Sequence, residues 1–383
     1  MAELTGRATG FGGCLPFGLG QRLVRGRLVV GEGVMSSASS TGTDKQWEQP
    51  GAFEVVDGVH RIPMPLPGDG LRAVNVYALE AGGSLVLIDA GWALGNAREQ
   101  LEAGLAELDH DLSSVRRILV THIHRDHYEL GMEVRRLVGS RLELGEGERP
   151  AMDELVDEVD WNDSGLVARL RQAGAQNVLD DVRRLHERRE QTHELNVPSW
   201  EYPDGWLTDR QILDLPGCRL EVLHTPGHTQ GHVVFVDHTR GLLFAGDHIL
   251  PHITPSIAFE RVPRELALGD YLTSLAAVRS LPDHQLLPAH GPVQPATHER
   301  IDELLVHHDH RLQLSVAAVG DNDATAYEVA SRLPWTRRDW SFAELDPFNQ
   351  MLAVNETAAH LDLLVRREEL AASDHDGIRH YRR

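Results

Sequence analysis

The sequence predicts an α/β protein that carries a smaller helical domain at its carboxyl end, and three observations support this prediction. Apolar runs typical of strands alternate with amphipathic segments between residues 53 and 295. Three helical segments and a hairpin follow that region. Histidines and aspartates stand directly after several apolar runs, where a strand would end. At 383 residues the chain is long enough to form two such domains.

The first part of the α/β region is predicted to contain four strands and a helix. The segments FEVVDGVHRIPM and NVYALEAGGSLVLIDAG are each typical of two strands joined by an Asp-Gly or Gly-Gly turn. The segment NAREQLEAGLAELD has helical spacing, with Leu101, Leu105 and Leu108 on one face. The apolar run RILV, a polar cluster and the helical segment YELGMEVRRLVG come next, so the cluster lies in a loop between a strand and a helix.

A helical block interrupts the strands from residue 145 to about residue 200. The stretch from Gly145 to Trp206 holds fifteen Asp and Glu against seven Arg, and we interpret the block as a surface insert. It would form a substrate lid if it overhung the polar loops. The strands resume in RLEVLHTPGHTQGHVVFVDHTRGLLFAGDHIL, with a hairpin turn at DHTRG. A helix, LALGDYLTSLAAVRSL, and a short strand, HQLLPAHGP, complete the α/β region.

The last region has the element order of a winged-helix domain. Three predicted helices, HERIDELLVHHDHRLQLSVAAV, TAYEVASRL and VNETAAHLDLLVRREEL, precede the hairpin LAASDHDGIRHYRR. We place the domains at residues 50–297, with the insert at about 145–200, and at residues 298–383. Residues 1–49 are interpreted as a disordered N-terminal extension, because they are Gly-rich and then polar. The paired His307 and His308 are expected to be solvated.

Composition narrows the classes of partner. The net charge of −21 opposes attraction to phosphate backbones or anionic lipid, and no apolar run approaches the ~20 residues of a membrane helix. Two cysteines, Cys14 and Cys218, do not make a disulfide framework and fit a reducing cytoplasm. We therefore expect a cytoplasmic protein with a small-molecule substrate and no membrane partner.

The C-terminal region is a poor candidate for binding nucleic acid. Residues 301–383 hold fifteen Asp and Glu against nine Arg. The basic-aromatic patch there consists of Arg337 and Arg338 beside Trp335 and Trp340, which is more typical of a packed helix end with solvated arginines. We expect this domain to have a structural or dimerisation role, so that a homodimer is one option for the assembly.

A dense polar cluster carries the chemistry. In ILVTHIHRDHYELG, residues 118–131, three histidines and one aspartate fall within six positions: His122, His124, Asp126 and His127. Imidazoles so close together repel one another when protonated, and a cation among them would remove that repulsion. Four more residues stand after other apolar runs: Asp89, His228, Asp247 and His290. Any one of them has a structural explanation, such as a turn, but all eight together indicate a metal site.

The ligand types indicate which metal this site would hold. Imidazoles and carboxylates suit Zn²⁺, with Fe or Mn as alternatives.

These motifs resemble those of the metallo-β-lactamase superfamily over residues 53–295. The segment from His122 to His127 matches the HxHxDH signature, and the other four residues match the remaining motifs in order. The resemblance implies an αββα sandwich with two divalent metal ions at one edge of its sheets. It implies that His122, His124 and His228 bind one ion, that Asp126, His127 and His290 bind the other, and that Asp247 bridges them. Asp89 would orient the metal loop through hydrogen bonds.

The resemblance also implies a hydrolase that uses a hydroxide held between the two ions. The predicted winged helix is similar to that of the lactamase-beta-like endoribonuclease and thioester hydrolase branch. We prefer a small acyl thioester, or a related ester or lactone, as the substrate. A metal-dependent endoribonuclease or phosphodiesterase is the alternative, and a mononuclear iron persulfide dioxygenase is a minor one. Lactamases proper lack an aspartate corresponding to Asp247, and flavin-partnered diiron reductases carry an acidic residue in place of His124.

Two further catalytic roles are expected. Asp126 would orient the nucleophile in addition to binding metal. In GDHILPHITPSI, His248 would donate a proton to the leaving group, with a hydrogen-bonded structural role as its alternative, and His252 is expected to be structural.

Overall fold

The computed structural model describes residues 46–66, 71–191, 199–335 and 340–383. Most of the predicted N-terminal extension, residues 1–45, lies outside the described residues, as do Arg337 and Arg338 of the basic-aromatic patch. At the end of that extension, Gln46–Glu48 form a 3-10 helix. Arg61 Nη1 donates a hydrogen bond to the Trp47 carbonyl at 2.7 Å, and this bond ties the short helix to the first sheet.

The first sheet has seven strands in the described part of the chain, and their spatial order follows the chain. The strands are β1 Phe53–Val56, β2 Val59–Pro65, β3 Ala73–Glu80, β4 Leu85–Ile88, β5 Val115–Val120, β6 Arg141–Gly145 and β7 Gly205–Leu207. Strands β1 to β4 pair antiparallel, and β4 to β7 pair parallel. Helices α1 Ala97–Ala106 and α2 Arg125–Val138 connect the parallel strands β4, β5 and β6. Gly139, at φ +75°, ends α2 in the left-handed conformation.

The helical insert stands between β6 and β7. It contains α3 Arg149–Val156, α4 Gly165–Gln172 and α5 Gln176–Gln191, as the amphipathic pattern predicted. Ser164 caps α4 by accepting a hydrogen bond from the Val167 amide.

The second sheet has five strands, in the order β12-β11-β10-β9-β8. The strands are β8 Ile212–Leu215, β9 Cys218–His224, β10 Val233–Asp237, β11 Leu242–Gly246 and β12 Gln285–Pro288. Strands β11 and β12 pair parallel, and the crossover between them contains helix α6 Ala267–Arg279. The carboxyl ends of β9, β11 and β12 consequently lie at the same edge of this sheet.

The two sheets pack face to face, with helices on their outer faces. Alternation along β3 buries Val74 and Val76 against α1 and α2, while Tyr77 and Leu79 lie between the sheets. Phe235 of β10 also lies between the sheets, and its neighbours on that strand pack on the side of α6. The layers therefore run α, β, β, α, and the predicted α/β class is confirmed. Strands buried on both faces explain why the sequence shows continuous apolar runs.

The C-terminal region, here residues 298–383, begins with α7. Its elements are α7 His298–Val319, β13 Ala324–Thr325, α8 Ala326–Arg332, α9 Pro347–Arg366, β14 Ala371–His375 and β15 Ile378–Arg382. The short strand β13 pairs with β15, so the small sheet has the order β13-β15-β14. These helices share one continuous apolar core with α4, α5 and α6. None of the helices in the described ranges is long and apolar enough to cross a bilayer.

The expectation that His308 is solvated is wrong. Its side chain is fully buried, because α6 and α9 cover that side of α7. His360 Nδ1 donates to the Glu356 carbonyl at 2.7 Å, so its Nε2 accepts from His308 Nδ1 at 3.2 Å. Burial lowers the pKa of His360 to about 3, which keeps this pair neutral.

Candidate metal centre

The structure brings three of the predicted histidines into one cluster, here called the first triad: His122, His124 and His228. His122 Nε2 lies 3.0 Å from His124 Nδ1, and His228 Nε2 lies 3.2 Å and 3.1 Å from those two atoms. Zn–N bonds of 2.0–2.1 Å in tetrahedral geometry require N···N separations of about 3.3 Å. The observed triangle therefore has the size that one such ion needs.

The hydrogen bonds on the far sides of these rings decide which nitrogens carry protons. His228 Nδ1 donates to the Ser256 carbonyl at 2.7 Å, and His124 Nε2 donates to the Phe259 carbonyl at 3.2 Å, since a carbonyl oxygen can only accept. In the neutral ring, the nitrogen that faces the triad then holds a lone pair.

His122 is held in the same way by its neighbour. The Thr121 hydroxyl donates to the Asp89 carboxylate at 3.0 Å and must therefore accept from His122 Nδ1 at 3.1 Å. Three lone pairs consequently point at one another at distances where only a cation can satisfy them. This donor set fits a divalent metal ion.

A second cluster, here called the second triad, contains Asp126, His127 and His290. His127 Nδ1 donates to Asp89 Oδ2 at 2.9 Å, and His290 Nδ1 donates to the Ala73 carbonyl at 2.8 Å. Their Nε2 atoms lie 3.6 Å and 3.4 Å from Asp126 Oδ2. Both Nε2 atoms are buried, and neither has a hydrogen-bond partner among the described residues. Orphaned buried acceptors that converge in this way also fit a cation.

Asp247 stands between the two triads. Its Oδ1 lies 3.3 Å from His290 Nε2, and its Oδ2 lies 3.5 Å from His228 Nε2. The side chain is 9% exposed, and Oδ1 has no hydrogen-bond partner among the described residues. One carboxylate can thus offer an oxygen to each triad, which is the arrangement expected of a bridging ligand.

The backbone at Asp89 explains how the triads are tied to the sheet. Asp89 follows β4 and has φ +59°, a conformation that is uncommon outside glycine. Its Oδ1 accepts the Thr121 amide at 2.8 Å in addition to the two side-chain bonds described above. The predicted orienting role of Asp89 agrees with this geometry, because a single buried carboxylate holds the start of the metal loop and the ring of His127.

The histidines of the two triads differ in the direction in which their surroundings shift their pKa values. Burial, together with the nearby His228, lowers the pKa of His124 to about 3, so the first triad stays neutral. Burial also disfavours the charged form of His127, but the carboxylates of Asp126, Asp89 and Asp247 outweigh that effect and raise its pKa to about 10. Asp247 and Asp126 likewise raise the pKa of His290 to about 9 against the effect of burial. The second triad therefore attracts positive charge, and a metal ion would compete there with protons.

The structure does not bring His248 into this cluster. The ring is fully buried against Tyr271 and His232, at centroid distances of 5.3 Å and 6.1 Å. Burial lowers its pKa to about 3. The predicted catalytic role of His248 disagrees with this placement, because a proton donor has to reach the substrate. Its imidazole instead packs in the interior beside α6.

Sequence reasoning missed a second contact that positions His228. Thr229 Oγ1 donates to Glu148 Oε1 at 2.5 Å, and the next amide, that of Gln230, donates to Glu260 Oε2 at 2.8 Å. A Cβ atom on Gly231 would lie 2.0 Å from the Glu148 amide nitrogen, so the two backbones are in direct contact. The start of the insert therefore holds the loop that carries His228.

The sequence signal for Glu148 was its position shortly after a strand. It stands in LELGEGE, three residues after the end of strand β6. Its side chain is fully buried, and this burial raises its pKa to about 8. The insert thus acts at its beginning as part of the site, whereas α4 and α5 pack against α9.

Comparison with known proteins agrees with this geometry. The sequence profile of the metallo-beta-lactamase superfamily matches residues 69–290. A beta-lactamase-like protein 2 homolog from Caenorhabditis elegans is 26% identical over 288 residues, which cover 74% of this chain and 79% of the relative. The hydroxyacylglutathione hydrolase GloC of Haemophilus influenzae is 27% identical over 230 residues, which cover 58% of this chain and 87% of that enzyme.

A solved structure extends the similarity to the C-terminal region. The crystal structure of a metallo-beta-lactamase family protein from Thermus thermophilus aligns with a TM-score of 0.71 and 29% identity, and the alignment covers 86% of this chain and 100% of that one. The profile match spans more than half of the chain, and the His and Asp clusters have the composition of metal sites. The chain therefore belongs to the metallo-beta-lactamase superfamily and is a metal-dependent hydrolase.

Proposed function

We propose that the protein is a dinuclear hydrolase of small acyl thioesters or related esters and lactones. The observation that carries this proposal is the position of Asp247, whose two oxygens face His228 of the first triad and His290 of the second at 3.5 Å and 3.3 Å. Two divalent cations, Zn²⁺ by the nature of the ligands and Fe or Mn as alternatives, would supply Lewis acidity and lower the pKa of water from 15.7 to ~7.

The side chains around the centre would orient the metal ligands and the attacking water. The five histidines of the two triads are held by hydrogen bonds on the far sides of their rings, so little reorganisation is needed when metal or substrate binds. Asp126 is more exposed to solvent than Asp247: 18% of its side chain is exposed, against 9% for Asp247. We assign it to orient the attacking water and to accept a proton from it, in addition to holding metal.

The thioester class is supported by one relative and by charge. The name of the relative from Haemophilus influenzae specifies hydroxyacylglutathione, whose acyl group is joined to sulfur. The net charge of −21 argues against a polyanionic substrate such as RNA, because long-range repulsion weakens the binding of phosphate backbones. The alternative reaction is phosphodiester hydrolysis, and a substrate screen must distinguish it from thioester hydrolysis.

We also infer that residues 298–383 form a winged-helix domain. The observed order of helix, strand, helix, helix and two strands, with a small sheet in the order β13-β15-β14, is the order expected for that fold. The shared core with α4, α5 and α6 supports a structural role.

The test is a substrate screen of protein loaded with Zn²⁺, Mn²⁺ or Fe²⁺. We expect hydrolysis of glutathione and coenzyme A thioesters and no cleavage of short RNAs, and we expect elemental analysis to find about two metal ions per chain. His122→Ala removes one member of the first triad and should abolish the activity. His110→Ala serves as the matched control, since His110 is half-buried and precedes β5, at the end of that strand opposite the metal loop.

The outcomes separate the parts of the proposal. Cleavage of RNA that His122→Ala abolishes, without thioesterase activity, would overturn the substrate class. A protein that binds no transition metal with all its ligands intact would overturn the dinuclear site itself.

A further inference from the structure

An aromatic wall stands beside the first triad, and it comprises Phe259 and Phe348. The Phe259 ring lies 5.6 Å from the ring of His124, and the Phe348 ring lies 5.4 Å from Phe259 at an interplanar angle of 85°. Edge-to-face contacts of this kind hold both rings in defined orientations. The wall therefore begins at a candidate metal ligand and extends away from it.

Phe259 is fixed by the segment that orients the triad. The carbonyl of Ser256 accepts from His228 Nδ1, and the carbonyl of Phe259 accepts from His124 Nε2. Ala258 between them is fully buried at φ +64°, which turns the chain sharply before Phe259. The distance between this ring and the reacting centre is thus set by the hydrogen bonds that select the tautomers of both histidines.

Phe348 comes from the C-terminal region and is fixed independently. It lies in the first turn of α9, where the carboxylate of Asp346 accepts hydrogen bonds from the amides of Phe348 and Asn349 at 3.0 Å and 3.1 Å. The side chain is 39% exposed, although large apolar side chains usually gain free energy from burial. An exposed ring on a rigid helix start, one ring away from His124, is available to a ligand.

Three arginines that lie in segment 250–264 or contact it already have partners. Arg261 donates to Glu154 Oε2 at 3.1 Å, and Arg264 pairs with Asp270 at 2.9 Å. Arg300 donates to the carbonyls of Leu250 and Ile253. An anionic acyl group would have to displace one of these bonds to pair with these arginines, whereas an apolar acyl group needs only the aromatic surface.

We infer that Phe259 and Phe348 form the acyl-binding wall of the active site, and that they select thioesters with apolar alkyl or aryl acyl groups over short or charged ones. This inference rests on the proposed thioesterase function and adds the identity of the acyl group. It also assigns Phe348, and with it the C-terminal region, a direct part in substrate specificity.

The experiment compares acetyl, butyryl, octanoyl, phenylacetyl and succinyl thioesters of N-acetylcysteamine on the metal-loaded protein. For the unaltered chain we expect kcat/KM to rise with apolar acyl size. Phe348→Ala should lower kcat/KM about tenfold for the octanoyl and phenylacetyl esters, mainly through KM, and less than about twofold for the acetyl ester. Phe348→Leu should restore most of the loss because it keeps an apolar surface.

The matched control is Phe53→Ala, since Phe53 is also 39% exposed but lies on the edge strand β1 against Arg61. Equal acyl profiles in the unaltered chain and in Phe348→Ala, or an equal change in Phe53→Ala, would overturn the inference and leave the thioesterase proposal intact.

If no thioester is hydrolysed, a binding measurement shows whether the acyl-binding wall is wrong or only the proposed reaction. The non-hydrolysable thioether S-octyl-N-acetylcysteamine is titrated calorimetrically into the metal-loaded chain and into Phe348→Ala. Binding that weakens about tenfold in the variant would support the wall while the proposed reaction fails. Absence of binding to the unaltered chain would overturn the inference.

Discussion

The Nδ1 atom of His127 lies 2.9 Å from Oδ2 of Asp89, so the imidazole presents its opposite nitrogen to the second triad. The same carboxylate accepts the amide and the hydroxyl of Thr121, and through that hydroxyl it also orients His122 of the first triad. One residue at the end of β4 therefore aligns a ring in each triad.

Asp89→Asn should weaken metal binding at the second triad about 10–100-fold, because an amide cannot accept all the hydrogen bonds that the carboxylate receives. The effect should be smaller at the first triad, where His124 and His228 are oriented by backbone carbonyls. Competition titrations with a chromophoric chelator would measure both affinities. Asp111→Asn is the control, since Asp111 caps the 3-10 turn before β5 and asparagine caps equally well. Unchanged affinities in Asp89→Asn would contradict the orienting role.

Asp247→Ala should cost more activity than His252→Ala on any substrate that the protein hydrolyses. Removing the carboxylate between the triads should lower kcat about a hundredfold or more, since it misplaces both centres. His252 is exposed, and its Cδ2 would lie 3.8 Å from a Cβ placed on Gly291, next to His290. Steady-state kinetics of both variants at matched metal content provide the comparison. Equal losses would mean that Asp247 does not bridge or that His252 takes part in catalysis.

Gly231→Ala should destabilise the protein by about 3 kcal/mol, at the upper end of overpacking effects, because its Cβ would meet the backbone of Glu148 at 2.0 Å. The loop that carries His228 should shift, so the variant should also lose metal from the first triad. Gly269→Ala in α6 is the matched control, since a Cβ there would meet Leu363 at an ordinary 3.4 Å. Urea unfolding and elemental analysis measure the two effects. A Gly231→Ala variant as stable as Gly269→Ala would refute the close backbone contact.

Glu148 should make the free energy of unfolding decrease as pH rises. Burial raises its pKa to about 8 in the folded protein, above the ordinary value of 4.5, so the folded state binds a proton that the unfolded state has released. This contribution is fully present below pH 4.5 and is lost as pH rises through about 8, at no more than ~1.4 kcal/mol per pH unit. Glu148→Gln should remove it.

The comparison is made by urea unfolding at pH 6 and pH 8.5 with a chelator present, because bound cations would lower the pKa of this carboxyl group. The unaltered chain should lose more free energy of unfolding over that interval than Glu148→Gln does. Parallel pH profiles for the two proteins would show that Glu148 is ionised throughout.

Much of the candidate site could be read from the sequence, because several of its members follow strand ends. Asp89, His122, Asp247 and His290 lie within two residues of the ends of β4, β5, β11 and β12, and these largely buried strands appear as apolar runs. Parallel pairing brings the ends of β4 and β5, and of β11 and β12, to the same edges. The α/β class, the insert and the order of the C-terminal elements follow from similar periodicities.

Other features depended on contacts between segments distant in the chain. The tautomers of His124, His228 and His290 are selected by the carbonyls of Phe259, Ser256 and Ala73. Every residue has a carbonyl group, so these acceptors leave no signature in the sequence. The burial of His248 and His308 depends likewise on which helices cover them.

The sequence by itself determined which side chains can hold metal, because local spacing and strand ends are encoded in short segments. Only the tertiary structure decided which of their nitrogens carry protons, that Glu148 holds the loop of His228, and that Phe348 lies one ring away from His124. These features depend on packing between elements up to hundreds of residues apart in the chain. There the distance and orientation between side chains, not the residue types, determine which groups come into contact.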